Sequence, residues 1–381
     1  SVLLLLGLVH ADVSGPVASR QTPGRLQLVP IVSDERLEYI EESPDSKRLL
    51  THGRGYAPKL WDPSTMQILR VLGARGQNIR YVTFSPNGKW ILTLAEGGVD
   101  FWDSRRARLE ATVRPPQDEV LVSAAISPDE RWCALGTNSG SVGLAPVGQP
   151  GEVAWWPGHR GEVWDIEWFN KSDRFATASA DRTARVWTRA TRTQAAELKG
   201  HKDAVRWVKI SKDDEHVLTT GLDNMAGLWD ASTGKLIVEK PHVIGPKGSM
   251  PNTLMAAMFV GARGEGALFA DASGAMEIID RHTLKPLRTL AGHTAAIREI
   301  RSSRDGGRIA TYGDDEQLKL WSADTGKEYP FQRQGLPTAG EFSPGGDVFW
   351  VGYEDGSLRR HELETGKIRT ETLGASIPLS R

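Results

Sequence analysis

The sequence T-T-G-L-D-N-M-A-G-L-W-D spans Thr219 to Asp230 and places Asp223 six residues before Trp229. Taken alone, an acid near an aromatic side chain suggests a ligand site. The pattern occurs three times, however, each time after a Gly-His pair, with a threonine 18, an aspartate 22 and a tryptophan 28 residues beyond the histidine. The three sets are His159, Thr177, Asp181 and Trp187; His201, Thr219, Asp223 and Trp229; and His293, Thr311, Asp315 and Trp321. Recurrence in one register indicates part of a repeating frame.

A turn of the Ser-Pro-Asp type recurs along the chain and gives the length of the repeat. The steps between turns are 42, 42, 42, 42, 50, 42 and 40 residues, so eight units of about 42 residues extend from near residue 30 to near residue 375. The long step contains Val238–Met250, which is predicted to be a loop insertion between the fifth and sixth units. The second turn residues are Pro44, Pro86, Pro128, Asn170, Lys212, Ala262, Arg304 and Pro344.

Each unit contains four short apolar stretches separated by turns, as in Val205–Ile210 and His216–Thr220 of the fifth unit. Four such strands form a small antiparallel sheet, which cannot bury both of its faces alone. Stacking many sheets around an axis buries both faces. The sequence therefore predicts an all-β propeller with eight four-stranded blades, or seven if the third or sixth unit is not a blade. Either Arg25–Ile31 or Lys367–Leu373 is expected to supply the outer strand of the last blade.

The Gly-His opening and Trp-Asp close resemble the WD40 repeat family, and the resemblance covers nearly the whole chain beyond residue 30. In that family the four side chains form a buried chain of hydrogen bonds from Trp through Ser or Thr and His to Asp. The resemblance therefore implies that the twelve residues named above brace three blades. It argues against a nucleophilic triad made of His, Thr and Asp, because a catalytic site rarely recurs in several blades.

The other five units depart from this pattern and are expected to rely on packing alone. The first and second units keep the threonine and tryptophan but lack the histidine, whereas the third, sixth and eighth units lack the tryptophan. The retained pairs are Thr51 with Trp61 and Thr93 with Trp102, and the residues at the Trp position are Ala145, Ile279 and His361. We expect His361 to be a partly exposed strand residue, since no second His or Cys is placed to complete a zinc site.

Composition excludes several classes of protein. The 381 residues carry 47 basic and 48 acidic side chains, a balance that argues against a nucleic-acid partner. A single cysteine, Cys133, excludes an internal disulfide framework and a multi-cysteine metal site. No apolar run reaches the roughly 18 residues that a membrane helix requires.

Three regions are predicted along the chain: residues 1–24 as an N-terminal segment, residues 25–375 as one propeller and residues 376–381 as a tail. The apolar stretch Val2–Val9, followed by His10-Ala11, is predicted to be the remnant of a signal peptide, a linker from a longer chain or an extra strand. A signal peptide predicts a periplasmic or secreted protein, and the other two alternatives predict a cytoplasmic one.

Function is expected on the face around the central channel, because propellers of this family mostly bind peptides or proteins there. The position after the first apolar residue of each inner strand is predicted to point to that face. These positions are Glu38, Arg80, Val122, Trp164, Arg206, Met255, Arg298 and Thr338, and the six predicted to bind a partner are Glu38, Arg80, Trp164, Arg206, Met255 and Arg298. Trp and Arg are enriched in binding hot spots, and Arg pairs well with carboxylates and phosphates.

The resulting prediction is a monomeric, non-catalytic scaffold that binds a protein or peptide, with an acidic or phosphorylated segment as the sharper hypothesis. The alternative for the face is a set of ordinary solvated residues. Two other functions stay open: a sensor or scaffold module of a larger signalling enzyme, and a propeller-fold enzyme. The sequence contains no nucleophile elbow, phosphate loop or H-E-x-x-H motif, and no cofactor or metal site is predicted.

Overall fold

The computed structural model describes residues 37–371, with gaps at 54–55, 74–78, 96, 150, 172, 224, 242–256, 262–263, 271–273, 330–334, 356 and 364–367. The chain divides into two compact units, Ser1–Pro30 and Ile31–Arg381, and every described residue belongs to the second. These described residues form thirty-two strands in eight four-stranded antiparallel sheets, each with its strands in chain order. Among the described residues, no helix has the length and apolar character needed to cross a membrane.

The strands number four to a blade. Blades 1 and 2 contain β1 (Leu37–Glu42), β2 (Leu49–Gly53), β3 (Lys59–Asp62), β4 (Gln67–Val71), β5 (Ile79–Phe84), β6 (Trp90–Ala95), β7 (Gly98–Asp103) and β8 (Arg108–Val113). Blades 3 and 4 contain β9 (Leu121–Ile126), β10 (Trp132–Thr137), β11 (Ser141–Pro146), β12 (Ala154–Pro157), β13 (Val163–Trp168), β14 (Arg174–Ser179), β15 (Thr183–Thr188) and β16 (Thr193–Lys199). Blades 5 and 6 contain β17 (Val205–Ile210), β18 (His216–Gly221), β19 (Met225–Asp230), β20 (Leu236–Pro241), β21 (Ala257–Val260), β22 (Gly266–Ala270), β23 (Met276–Asp280) and β24 (Pro286–Leu290). Blades 7 and 8 contain β25 (Ile297–Ser302), β26 (Arg308–Gly313), β27 (Leu318–Ser322), β28 (Glu328–Tyr329), β29 (Pro337–Phe342), β30 (Val348–Tyr353), β31 (Leu358–Glu362) and β32 (Ile368–Glu371).

Eight apolar clusters join neighbouring blades, one at each junction of the ring. At the junction of blades 4 and 5, Val186 packs in one cluster with Val208 and Trp229. At the last junction, Trp350 of blade 8 packs with Leu37 of blade 1. Because the eighth cluster returns to the first blade, the sheets form a closed ring. The prediction of an eight-bladed propeller is confirmed.

Within the described residues, a hydrogen bond that spans 308 positions of sequence joins the last blade to the first, and the last blade takes all four of its strands from the C-terminal end of the chain. The indole Nε1 of Trp350 donates to Oε2 of Glu42 at 2.6 Å. The outer strand of blade 8 is β32, which pairs with β31 and lies within Lys367–Leu373, the C-terminal of the two segments predicted to supply this strand. The N-terminal candidate, Arg25–Ile31, lies outside the described residues.

Burial changes across each sheet and explains the sequence pattern of its strands. The second strand of blade 5, β18, is buried at all six positions because neighbouring blades cover both of its faces. The outer strand β16 of blade 4 is exposed at most of its positions. Apolar and small residues therefore run continuously through the second strands, as in other sheets covered on both faces.

The turn between the first and second strands is held by a serine. In blade 5, the hydroxyl of Ser211 accepts a hydrogen bond from the amide of His216 at 2.9 Å and donates to Asp213 at 2.6 Å. The next residue, Asp214, has φ 70°, a left-handed conformation that Asp and Gly tolerate better than most residues. The same geometry recurs at the fourth turn position in other blades, which is why Gly88 and Gly306 stand there.

The prediction that a loop insertion begins at Val238 and runs to Met250 is wrong about where the loop begins. Strand β20 continues to Pro241, and the backbone of Val238 pairs with that of Leu228. The side chain of Val238 packs against the cluster between blades 5 and 6, which favours the strand over the local turn signals. Pro241 is tolerated because it ends an outer strand, where no further ladder bond is required. Residues 242–256 lie outside the described part of the chain.

Candidate functional site

We call the side of the ring where the inner strands begin the upper face, and the side where they end the lower face. The three repeated tetrads lie in blades 4, 5 and 7 and connect inner parts of each blade to its upper loops. In blade 5, Trp229 Nε1 donates to Thr219 Oγ1 at 2.7 Å, Thr219 Oγ1 lies 2.8 Å from His201 Nε2, and His201 Nδ1 lies 3.0 Å from Asp223 Oδ2. The matching distances are 2.9, 2.7 and 3.0 Å in blade 4 for Trp187, Thr177, His159 and Asp181. They are 2.8, 2.8 and 2.9 Å in blade 7 for Trp321, Thr311, His293 and Asp315.

The donors and acceptors fix the direction of this chain of hydrogen bonds. An indole N–H can only donate, so the threonine oxygen accepts from it and gives its own proton to the histidine Nε2. A neutral imidazole that accepts at Nε2 carries its proton on Nδ1, where it points at the aspartate. Burial lowers the pKa of His159, which favours this neutral form. Although burial alone raises the pKa of Asp181, hydrogen bonds from His159 and Thr183 hold it well below its ordinary range.

Two incomplete blades keep half of the tetrad, which corrects the expectation that they rely on packing alone. Trp61 Nε1 donates to Thr51 Oγ1 at 2.8 Å in blade 1, and Trp102 Nε1 donates to Thr93 Oγ1 at 3.1 Å in blade 2. The indole and hydroxyl satisfy each other without a histidine, because the strands that carry them pair in the same register.

Blades 3, 6 and 8 replace the tryptophan in different ways. In blade 3, Ala145 is buried and Trp155 of the outer strand packs against the same cluster. In blade 6, Ile279 is buried. In blade 8, His361 is only 4% exposed, so the expectation of a partly exposed residue is wrong. Burial and the positive charge of Arg359 lower the pKa of His361 to about 4, so that it is neutral near pH 7.

Acidic side chains on the inner strands form a second structural device that the sequence analysis did not identify. The inner strand of each blade has one edge without a partner strand, and its amides need acceptors. Glu41 Oε2 accepts from the amide of Phe84 in the next blade at 2.9 Å. In the same way, Asp165 accepts from Val208 at 3.0 Å and Glu167 from Ile210 at 3.0 Å. The sequence does carry a signal for this device. An acidic residue stands at the third or fifth position of the inner strand, and the amide it binds lies about one repeat length further along the chain.

A lysine balances two of these acids inside the channel. Lys209 Nζ lies 2.7 Å from Glu167 Oε2 and 3.8 Å from Asp165 Oδ2. Burial lowers the pKa of Lys209, but the two carboxylates outweigh that effect and raise it well above its ordinary value. The inner wall at blades 4 and 5 is therefore built from ion pairs and contacts between carboxylates and backbone amides.

The predicted face residues coincide with a β-bulge at the start of the inner strands. The pairing register shifts at the position occupied by Arg206 in blade 5, where Val205 pairs with Gly221 and Trp207 with Thr220. A bulged residue is unpaired and its side chain is re-aimed out of the sheet. The same shift occurs at Glu38, Arg80, Val122, Trp164, Arg298 and Thr338.

The bulge residues differ in exposure. Glu38 and Arg80 are exposed, whereas Val122, Trp164, Arg206 and Thr338 are half-buried. Met255 lies outside the described residues. Arg298 has a described backbone, and its side chain lies outside the description. In the blades where it is described, the bulge explains why the predicted position leaves the pairing register of the inner strand.

Trp164, Arg206 and Trp207 form one cluster at the upper opening, which we call the arginine clamp. The guanidinium carbon of Arg206 lies 5.0 Å from the centre of the Trp164 ring and 5.3 Å from that of Trp207. Both distances suit cation–π attraction. Trp207 was missed in the sequence because only the bulge brings two consecutive residues to the same side of the strand.

A group of potential metal ligands lies on the lower face between blades 5 and 6. Ligand atoms of Glu215, His216 and His282 lie within 4.8 Å of one another. However, Arg281 donates from Nη1 to His216 Nδ1 at 2.9 Å and also bonds Asp213 at 2.7 Å. Arginine can only donate, so the proton of neutral His216 is on Nε2 and neither ring nitrogen offers a free lone pair. The guanidinium of Arg281 also places a positive charge beside His216, so the group does not fit a cation site.

A protein-family match covers the same three segments of the chain that contain the tetrads. The WD domain, G-beta repeat family matches residues 151–188, 192–230 and 284–322. Each matched segment begins in or just before the outer strand of one blade and ends with the third strand of the next, so that it contains one complete tetrad. The chain therefore contains three WD40 repeats. The sequence repeat is therefore offset by one strand from the structural blade, and each WD40 repeat links two neighbouring blades.

Among curated relatives, this WD40 propeller is similar to apoptotic protease-activating factor 1 of Mus musculus, with 23% identity over 296 residues. That match covers 77% of this chain and 22% of the relative. It is also similar to THO complex subunit 3 of Arabidopsis thaliana, with 27% identity over 203 residues, covering 43% of this chain and 64% of the relative. The chain spans about a quarter of the length of the first curated relatives it matches, at 22% and 26%.

A solved structure supports the fold alone. The crystal structure of the computationally designed Ika8 protein matches with a TM-score of 0.70 and 20% identity, covering 87% of this chain and 98% of that one. Proteins built from WD40 repeats are typically protein-interaction scaffolds, some of them within larger complexes, and the family is generally non-catalytic.

Proposed function

We propose that this chain is a non-catalytic scaffold whose upper face binds a peptide segment carrying an acidic or phosphorylated side chain. The arginine clamp is the single observation that carries the proposal. Two indole rings hold the Arg206 guanidinium at 5.0 and 5.3 Å, which reduces the rotamer freedom that binding must otherwise remove. A guanidinium fixed in this way can present parallel N–H donors to a carboxylate or phosphate.

The surroundings of the clamp support a peptide ligand. On the channel wall at blades 1 and 2, Tyr81 is 40% exposed and meets Tyr39 edge-on with ring centres 6.1 Å apart. Tyrosine, tryptophan and arginine are the residues most enriched in interaction hot spots. Arg80, the bulge residue beside Tyr81, adds a second exposed cation at the same level.

Binding of defined peptides tests this proposal. The ligands are fluorescein-labelled phosphoserine peptides of degenerate flanking sequence and the same peptides with serine, measured by fluorescence anisotropy. We expect phosphorylated or acidic peptides to bind, and Arg80→Glu with Arg206→Glu to weaken binding about tenfold or more. Arg206→Lys should lose part of the affinity, because an ammonium keeps the charge without the planar fork.

The matched control is Lys235→Glu with Lys285→Glu, which makes the same change in net charge at two exposed turn lysines on the lower face. It should bind like the wild type. If the face double variant bound the same peptides with unchanged affinity, the upper face as defined by Arg80 and Arg206 would be the wrong surface.

A second candidate function is a sensor or scaffold module of a larger signalling enzyme. The observation in its favour is that the chain matches only 22% of the mouse apoptotic protease-activating factor 1. An immunoblot of the native source with an antibody to the propeller separates the two candidates. A band far above 41.8 kDa supports the module, and a band at or below that mass contradicts it.

A further inference from the structure

A groove with an excess of positive charge lies at the upper outer corner of blade 4, where β16 leads into blade 5. We call it the blade 4 groove. Its volume is about 850 Å³, within the range of ordinary ligand pockets. Four cationic side chains and two carboxylates line it: Arg160, Arg182, Arg185, Lys199, Asp181 and Glu197.

The two carboxylates are already engaged by the protein. Asp181 accepts from His159 at 3.0 Å and from the Thr183 hydroxyl at 2.6 Å as part of the tetrad. Glu197 lies 3.2 Å from Arg185 Nη2. Arg185 also donates to the carbonyl of Gly158 at 2.6 Å, so it is held in the floor of the groove.

Three cations are left for a ligand. The side chains of Arg160, Arg182 and Lys199 are exposed, and within the described residues none of them forms an ion pair. Four cations against two carboxylates give the groove an excess of two positive charges, in a chain whose net charge is -1. The charge is therefore local, which favours a partner that is acidic over a short length.

The chemistry of the lining favours a peptide over a nucleic acid. Proteins that bind single strands stack bases on aromatic side chains and usually carry a basic surplus over the whole domain. The ring of His201 is the one aromatic group in the lining, and its two nitrogens are committed to Thr219 and Asp223. Carboxylates spaced along an extended peptide can instead pair with separate arginine and lysine side chains.

The groove is continuous in sequence with the arginine clamp. Its edge is formed by Gly200 and His201, and the same loop leads directly into β17, where Arg206 is the bulge residue. We infer that the blade 4 groove is a second subsite, which binds a run of acidic side chains flanking the residue held by Arg206. This inference rests on the proposed function, and it adds that the partner segment is acidic over several residues.

Three labelled peptides test the subsite on the full chain: a phosphoserine in a Gly-Ala context, the same peptide extended by six glutamates, and six glutamates alone. We expect the extension to strengthen binding about tenfold at low salt, and the gain to shrink between about 50 and about 300 mM NaCl. Arg182→Glu with Lys199→Glu should abolish the gain and leave the unextended peptide unaffected. Lys235→Glu with Lys285→Glu is again the matched control and should keep the gain.

The outcomes separate the two proposals. If the gain persists in the groove variant, or six glutamates alone bind the wild type and the groove variant equally, the subsite is refuted while the clamp stands. If six glutamates bind through Arg182 and Lys199 but the unextended peptide does not bind at all, the clamp fails and the groove stands. A labelled 12-nucleotide single strand provides the third arm. The peptide assignment would be overturned if this strand bound through Arg182 and Lys199 while the glutamate extension did not change peptide affinity. That result would identify a nucleic-acid site.

Discussion

Replacing Thr219 by valine tests the bracing role of the tetrad most directly, because this hydroxyl lies at its centre. The oxygen accepts from Trp229 Nε1 at 2.7 Å and lies 2.8 Å from His201 Nε2, and the residue is 1% exposed. Valine keeps nearly the same shape but removes both hydrogen bonds. Two buried polar groups then lack partners, at a cost of about 1–3 kcal/mol each, so the free energy of unfolding should fall by about 2–6 kcal/mol.

Thr93→Val in blade 2 is the matched comparison. Thr93 is 3% exposed and bonds Trp102 Nε1 at 3.1 Å, with no histidine in the contact. The same substitution leaves one buried group without a partner, and the loss should be about 1–3 kcal/mol. The difference between the two variants isolates the histidine side of the tetrad.

Equilibrium unfolding in urea, followed by far-ultraviolet circular dichroism, measures both losses. The slope of the unfolding free energy against urea must agree among the three proteins for the comparison to hold, since a changed slope indicates a departure from two-state unfolding. Equal losses in the two variants would show that the hydrogen bond to His201 contributes nothing measurable. A loss below about 1 kcal/mol for Thr219→Val would show that packing alone holds blade 5.

Two further predictions concern acidic residues. Asp223→Ala removes the acceptor for His201 Nδ1 and for the amide of Lys202. Scanning calorimetry should therefore show a lower melting temperature, while peptide binding is retained. An unchanged melting temperature contradicts the bracing role. Burial raises the pKa of the Glu41 carboxyl to about 7, above its value in the unfolded chain. The folded protein therefore binds this proton more tightly than the unfolded chain does. The resulting contribution of Glu41 to stability is largest at low pH and is lost as the pH rises through about 7. Relative to Glu41→Gln, the wild type should therefore lose on the order of 1–2 kcal/mol between pH 5.5 and pH 8 in urea titrations, and a constant difference refutes the assignment.

The number of blades and the order of strands could be predicted from the sequence because each unit carries its own local signals. Ser211 and Asp213 close the turn after the first strand through bonds that span only a few residues. The spacing from His201 to Trp229 likewise reflects strands of fixed length joined by fixed turns. Where tertiary packing opposed a local signal, prediction failed: Val238 was assigned to a loop from nearby prolines and glycines, although its side chain packs between blades 5 and 6.

The candidate site, too, could be predicted from the sequence only in part. The sequence placed Trp164 and Arg206 at equivalent positions of neighbouring repeats, because equivalent positions in a propeller lie at the same height around the axis. It could not show that the Arg206 guanidinium lies near two indole rings, because Trp207, the next residue along the strand, comes close to it where the pairing register shifts. The blade 4 groove could not be predicted from the sequence either, because its cations come from two loops, the third strand and the outer strand, which meet only in the folded blade.

What the sequence determined by itself is the repeated frame: its eight units, its tetrads and its turns, all of which depend on contacts within about 42 residues. The tertiary structure alone decided how the ring closes, through the bond from Trp350 to Glu42 across 308 positions. It alone decided which acids cap the inner edges, as Glu41 does for Phe84 in the next blade. The physical reason is that a repeat specifies its own blade through local geometry, whereas pairing between blades depends on which side chains the closed ring brings together.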